Sequence, residues 1–183
     1  MMRSLLLALL CTVSFQAQNL KNVEGKIMSQ WGKKVTPNNV WPEYPRPQFE
    51  RTEWKNLNGL WDYALLKINQ QQPKKFQGKI LVPFSFESSL SGVGQKVTPE
   101  DKMWYKKSFS LSKSWVGKDV IIHFEAVDYN CSLWVNDILV GSHKGGFDRF
   151  SFNITPYLKS NKNQKKTKKE ERKSLKRSKR KNK

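Results

Sequence analysis

Ser132-Leu-Trp-Val-Asn-Asp-Ile-Leu-Val-Gly-Ser142 is the stretch that decides the fold class. Leu133 and Val135 stand two apart, the spacing that puts side chains on one face of a strand, and Ile138 and Val140 repeat it. Between the two runs lie Asn136 and Asp137, residues that tolerate a positive φ. Two such residues between two apolar runs predict a tight β-hairpin, 132–135 against 138–142.

Upstream, residues 118–127 alternate Val120, Ile122, Phe124 and Ala126 with Ile121, His123 and Glu125, the pattern of a half-buried strand. Downstream, Phe150, Phe152 and Ile154 do the same. Further strand signals fall at 60–65, 79–83, 103–111 and 149–155, separated by Gly, Pro, Ser and Asn turns. Trp41-Pro-Glu-Tyr-Pro-Arg-Pro47 cannot be helix, because proline fixes its own φ and restrains the residue before it. No amphipathic helical segment and no internal repeat is found. Six or seven short strands predict an all-β fold, a β-sandwich.

The chain has 183 residues, room for one ordinary domain plus appendages. A (β/α)8 barrel, at ~250 residues, does not fit. Apolar residues make up 37%, below the ~45–50% usual in globular domains. The deficit is local. Residues 160–183 hold thirteen Lys or Arg, two Glu and a single aliphatic residue, Leu175, and so carry +11 of the net +19. All seven Trp precede that tail. The high basicity describes a tail on an aromatic-rich body, and no nucleic-acid partner is expected from it.

Residues 1–17 read as an export signal: Arg3 supplies the positive start, and Leu5 to Phe15 is an apolar run. The run is too short to span a bilayer, which takes ~20 apolar residues. Leu10 before Cys11 disfavours lipidation. The expected product is exported, periplasmic or extracellular, with no membrane span. Cys131 would then be its one cysteine, which makes no internal disulfide, and with two histidines a structural metal site is not expected. The expected organisation is a signal over 1–17, a leader arm over 18–43, a domain over 44–159 and a disordered polybasic tail over 160–183.

Six groups of residues, in order, resemble the N-terminal sugar-binding domain of family 2 glycoside hydrolases, the group of β-galactosidases, β-glucuronidases and β-mannosidases. They are Arg51-Thr-Glu-Trp-Lys-Asn-Leu-Asn-Gly-Leu-Trp-Asp-Tyr63, Ile80-Leu-Val-Pro-Phe84 with Glu87-Ser-Ser-Leu-Ser-Gly-Val93, Trp104-Tyr-Lys-Lys-Ser-Phe109, Phe124-Glu-Ala-Val-Asp128, Leu133-Trp-Val-Asn136 and Val140-Gly-Ser-His-Lys-Gly-Gly-Phe147. Asp137 stands where the family commonly has Gly. The resemblance implies a galactose-binding-like jelly roll of two antiparallel sheets. It also implies a domain that packs on a catalytic (β/α)8 barrel, in which two Glu act as acid and nucleophile. That barrel is not in this sequence.

No catalytic residue is assigned. Asp119, Glu125, Asp128 and Asp137 are scattered over strand ends and turns and read as solvated or turn-capping groups. After residue 159 the family's closing strand, which begins at Ser160-Asn-Lys-Asn163, gives way to the basic tail. An A-rich coding strand read out of frame would give that composition. The expectation is a frameshift or truncation that removes the last strand, and hence a marginal, aggregation-prone product.

Candidate carbohydrate contacts are His143, Lys144, Gly145, Gly146, Phe147 and Asp148 in one loop. The two glycines allow close backbone approach and Phe147 offers a face to a sugar ring. The bland alternative is that the glycines shape a connection between strands. Trp134 could also stack on a sugar, whereas Trp61 and Trp104 read as core and His123 as a surface residue. No cofactor is implied. Asn130-Cys-Ser132 and Asn153-Ile-Thr155 fit glycosylation sequons, relevant in a eukaryotic secretory pathway. Three functional readings follow: the accessory domain of an exported glycosidase, a free-standing carbohydrate-binding module, and a secreted polybasic binder of acidic polymers. The first accounts for signal, motifs and break together.

Overall fold

The structure, a computed structural model, describes residues 20–159. The signal and tail expectations lie outside the described residues. Among these, every regular element is a strand or a single 3-10 turn, so the all-β expectation holds. Seven strands form: β1 (Gly59–Lys67), β2 (Gly78–Val82), β3 (Asp101–Lys106), β4 (Ile121–Phe124), β5 (Asn130–Val135), β6 (Ile138–Lys144) and β7 (Phe150–Asn153). The chain divides into two compact units, one running to Phe109 and one from Ser110.

The first unit is a three-stranded antiparallel sheet in the order β2-β1-β3. Tyr63 of β1 faces Gly78 of β2 and Tyr105 of β3. Its buried apolar residues are Val40, Ala64, Ile80, Leu81 and Phe86, and Tyr63 meets Phe86 edge-on at 5.2 Å. Trp61 and Trp104, read as core, are only half-buried, and Trp61 Nε1 donates to the Leu57 carbonyl at 2.8 Å. The leader is tied down. Val23 N–H donates to the Ser89 carbonyl and Ser89 Oγ to the Val23 carbonyl, while Lys26 Nζ reaches the carbonyls of Glu87 and Gly94.

The second unit holds two two-stranded antiparallel sheets, β4-β7 and β5-β6. The hairpin forms as the sequence requires. Val135 pairs with Ile138, and Asn136 and Asp137 take φ of 52° and 69°, the doubly left-handed turn that suits strand twist. Val120 and Ile154 are the buried apolar residues of this unit, and Ile154 N–H closes on the Val120 carbonyl at 2.9 Å.

Three local expectations are corrected. The strand anticipated over 103–111 stops at Lys106. Ser108, Ser110 and Ser112 follow, and Ser112 Oγ accepts from Ser114 N–H at the start of a turn, a local bond that competes with a ladder. The strand over 118–127 shortens to Ile121–Phe124 because its partner runs out: Phe124 pairs with Phe150, the first residue of β7. Ala126 is therefore exposed, while Val120, Ile122 and Phe124 of the same stripe keep inward, buried or half-buried positions. With both strands shortened, the described residues form three small sheets where two were anticipated.

Candidate functional site

Cross-strand pairing in the β5-β6 hairpin sets the two faces of the candidate loop before the loop begins. His143 lies opposite Cys131 and Lys144 opposite Asn130, and successive residues on a strand face opposite ways. His143 turns in, with 18% of its side chain exposed, and stacks on Phe150 with centroids 4.0 Å apart and planes at 15°. Phe150 in turn stacks on Phe124 at 5.0 Å and meets Phe152 edge-on at 5.7 Å, so the imidazole caps a column of aromatic rings. Lys144 turns out, its Nζ 5.8 Å from the centre of the Tyr129 ring, within reach of a cation–π attraction.

Backbone conformation calls for glycine at Gly145, and side-chain crowding disfavours a Cβ at Gly146. Gly145 has φ of +148°, and its N–H donates to the Tyr129 carbonyl at 2.8 Å. A Cβ on Gly145 would lie 2.2 Å from Asp148 Oδ1, and one on Gly146 would lie 2.7 Å from Asp128 Oδ1. Two carboxylates thus crowd where side chains would stand. Asp148 Oδ2 lies 3.2 Å from His143 Nε2, without forming a hydrogen bond. Phe147 at the tip is fully exposed.

Of the six contacts expected in one loop, His143 and Lys144 are instead the last residues of β6, held by pairing with Cys131 and Asn130, and the loop proper begins at Gly145. Trp134, 42% exposed and paired with Leu139, is four residues from Asn130 along β5, ~13 Å by strand rise. It belongs to the far end of the hairpin. Asp128, Tyr129 and Phe150 were not foreseen as supports of the loop, since only the pairing of β5 with β6 and of β4 with β7 brings them there. Burial and the backbone contact with His143 act on the Cys131 thiol in opposite senses, and burial prevails, pushing it up; the thiol is thereby kept protonated.

Of the carboxylates set aside above, Asp128 lies beside Gly146 at the loop and the other three lie elsewhere. Asp119 accepts from Asn153 Nδ2 at 3.2 Å, Glu125 pairs with Arg149 at 3.6 Å, and Asp137 sits in the hairpin turn. His123 is exposed. Among the described residues no group of three or more His, Cys, Asp or Glu is placed to hold a metal ion. No helix among them is long and apolar enough to cross a membrane.

Short antiparallel strands carrying a glycine-shaped, aromatic-flanked loop define the class, an all-β binding domain. Residues 54–169 match the model of the glycosyl hydrolases family 2 sugar binding domain, and the chain belongs to that family. Its fold is that domain's β-sandwich class. The chain is 28% identical over 118 residues to a β-glucuronidase of Paenibacillus borealis, covering 61% of this chain and 20% of that protein. It is 30% identical over 115 residues to a β-galactosidase of Bacteroides ovatus, covering 62% and 12%. A solved β-glucuronidase 2 of Bacteroides uniformis superposes with a TM-score of 0.45 at 24% identity, over 57% of this chain and 13% of that one. The chain thus spans a fifth or less of the length of these relatives and covers the N-terminal sugar-binding domain, not the catalytic barrel.

Proposed function

We propose that this chain is the carbohydrate-binding accessory portion of an exported family 2 β-glycosidase, and that it binds sugar without cleaving it. The match to the family's sugar-binding model over residues 54–169 carries the reading. Glycosidases of this family cleave with two carboxyl groups carried on a barrel, and the matched residues 54–169 are the sugar-binding domain. Contacts come from the loop at 143–148, where backbone and carboxylate lie close together and Phe147 is open to a ring. In the longer protein the domain, over 44–159, packs on the barrel. Export rests on the apolar run after Arg3, and fragment status on the abrupt change in composition after residue 163.

Two experiments test the proposal. Incubated with nitrophenyl β-galactoside, β-glucuronide and β-mannoside, the purified chain should release no nitrophenol above a buffer blank; sustained turnover on any of them sinks the noncatalytic reading. Resequencing from the codon of Lys159, with translation in all three frames, should find the closing strand and a barrel with two Glu resuming in another frame. If every alternative frame is closed, the fragment reading fails and the tail is a genuine part of the protein.

A further inference from the structure

Trp41, in the leader ahead of β1, holds a backbone conformation that its side chain disfavours. Its φ is 44°, left-handed territory in which a bulky residue is an outlier. Pro42 follows, and a proline pushes the residue before it toward extended backbone. Two local preferences are overridden at one residue. Such a conformation persists only where the surroundings over-determine it, and here they do. On one side Val40 is 4% exposed, and Asn39 is tied twice: its Oδ1 accepts from Thr36 N–H at 2.6 Å and its Nδ2 donates to the Lys34 carbonyl at 2.9 Å. The Trp41 carbonyl itself accepts from Asn56 Nδ2 at 2.6 Å and from Asn58 Nδ2 at 3.4 Å. These bonds do not serve to bury the indole. Trp41 keeps 63% of its surface exposed, and its ring meets Phe84 edge-on, with centroids 6.3 Å apart and planes at 64°. A buried tryptophan would offset backbone strain through the area it takes from water; this one stays in water.

We infer that Trp41 is a stacking platform in the first unit, in addition to the loop at 143–148, and that its occupant is a sugar ring of a neutral β-linked polysaccharide. Strain held in place by its neighbours, at a side chain left open, is the mark of a residue positioned for a ligand. The indole is a large rigid apolar face, and the carbon-bound hydrogens of a pyranose are the apolar face of a sugar. One indole holds a single sugar weakly. A polymer presents the same ring many times and is retained, so short glycosides register at the loop alone. The choice of a sugar as occupant rests on the carbohydrate-binding reading above, whereas the strained and open placement of the indole does not.

The test is affinity electrophoresis of the full chain in native gels holding soluble β-mannan or β-galactan, with dextran as the α-linked control. Neutral polymers keep the basic tail from contributing through its charge. The parent chain should be retarded by at least one β-linked polymer and not by dextran. Trp41→Asn, which installs a side chain tolerant of positive φ, should bind about tenfold more weakly, the loss of one stacked ring. Its melting temperature should be no lower than the parent's, which a merely structural indole would not allow. Trp41→Phe keeps a ring and should bind between the two. Retardation unchanged in Trp41→Asn, or a melting temperature lowered by it, overturns the platform. Retardation abolished by Phe147→Ala and untouched by Trp41→Asn overturns the platform and leaves the carbohydrate-binding reading standing. No retardation of the parent chain also overturns the platform, and the carbohydrate-binding reading falls with it only if single glycosides give no heat of binding either.

Discussion

Replacing Gly141 by Ala adds one methyl group to β6, and the structure determines the sign of its effect. At an unobstructed strand position this change stabilises by ~0.4–1 kcal/mol, because alanine has less freedom to lose on folding. At Gly141 an added Cβ would lie 2.5 Å from Phe152 Cε1, 3.1 Å from Cδ1 and 3.2 Å from Cζ. Carbon atoms settle at ~3.5–4.0 Å, so the ring would have to withdraw by about an ångström along one edge. Its movement is restricted by Phe150, whose ring centre lies 5.7 Å away with the planes at 70°. Overpacking of this kind costs ~1–3 kcal/mol, and that outweighs the entropic gain. Urea unfolding followed by tryptophan fluorescence, with hydrogen exchange at the amides of β4 to β7, should show destabilisation confined to the second unit. In a Phe152→Leu background the same methyl should cost at least 1 kcal/mol less, a coupling within the usual range for contacting residues. A Gly141→Ala protein as stable as its parent, or an equal cost in both backgrounds, refutes the packing described here.

Other consequences are simpler to read. Asp137 has φ of 69°, so Asp137→Gly should stabilise by up to ~1 kcal/mol and Asp137→Val destabilise by ~1–2 kcal/mol in urea titrations. Ile154, 2% exposed, is half of a two-residue buried apolar set, and Ile154→Ala should cost ~2–5 kcal/mol by the same measurement. Lys67 and the Thr98 N–H and hydroxyl hold the Asp101 carboxyl down at about 2. Its folded value lies below its unfolded one, so this stabilisation is full above pH ~4 and is lost as pH falls toward 2. Melting temperature against pH should show that loss in the parent chain and a flatter acid limb in Asp101→Asn.

How much of this was legible beforehand follows from the range of each interaction. The β5-β6 hairpin was readable because its signal is local: two apolar runs of period two, with two residues between them that accept positive φ. All seven strands were located for the same reason. Their ends were not, because an end depends on the partner. β4 stops at Phe124 since β7 starts at its partner Phe150, a fact held 26 residues away. Gly145 and Gly146 were legible as a place of close approach, but the carboxylates of Asp148 and Asp128 that approach them were not. The stacking of His143 on Phe150 joins two strands that are not hydrogen-bonded to each other, and no spacing in the sequence encodes it. Trp134 was a candidate because it alternates away from Leu133 and Val135; it is indeed 42% exposed, but strand rise puts it at the other end of the hairpin from the loop.

The second unit also explains why its stability is worth measuring. Ile121, Tyr129, Trp134, Ile138 and Leu139 each keep more than two fifths of their surface exposed, while among the described residues of this unit Val120 and Ile154 alone are buried apolar residues. Apolar surface left in water contributes nothing to folding at roughly 25 cal/mol per Å². A unit built this way is stabilised by whatever covers that surface.

The central claim is that the chain binds carbohydrate, and calorimetric titration of the full chain with β-linked galactosides, glucuronides and mannosides tests it most directly. The account predicts saturable binding of at least one of these at a single site, weakened by Phe147→Ala and with the glycan recovered intact. Heats indistinguishable from dilution across all three classes, from a chain shown to be folded, would contradict it.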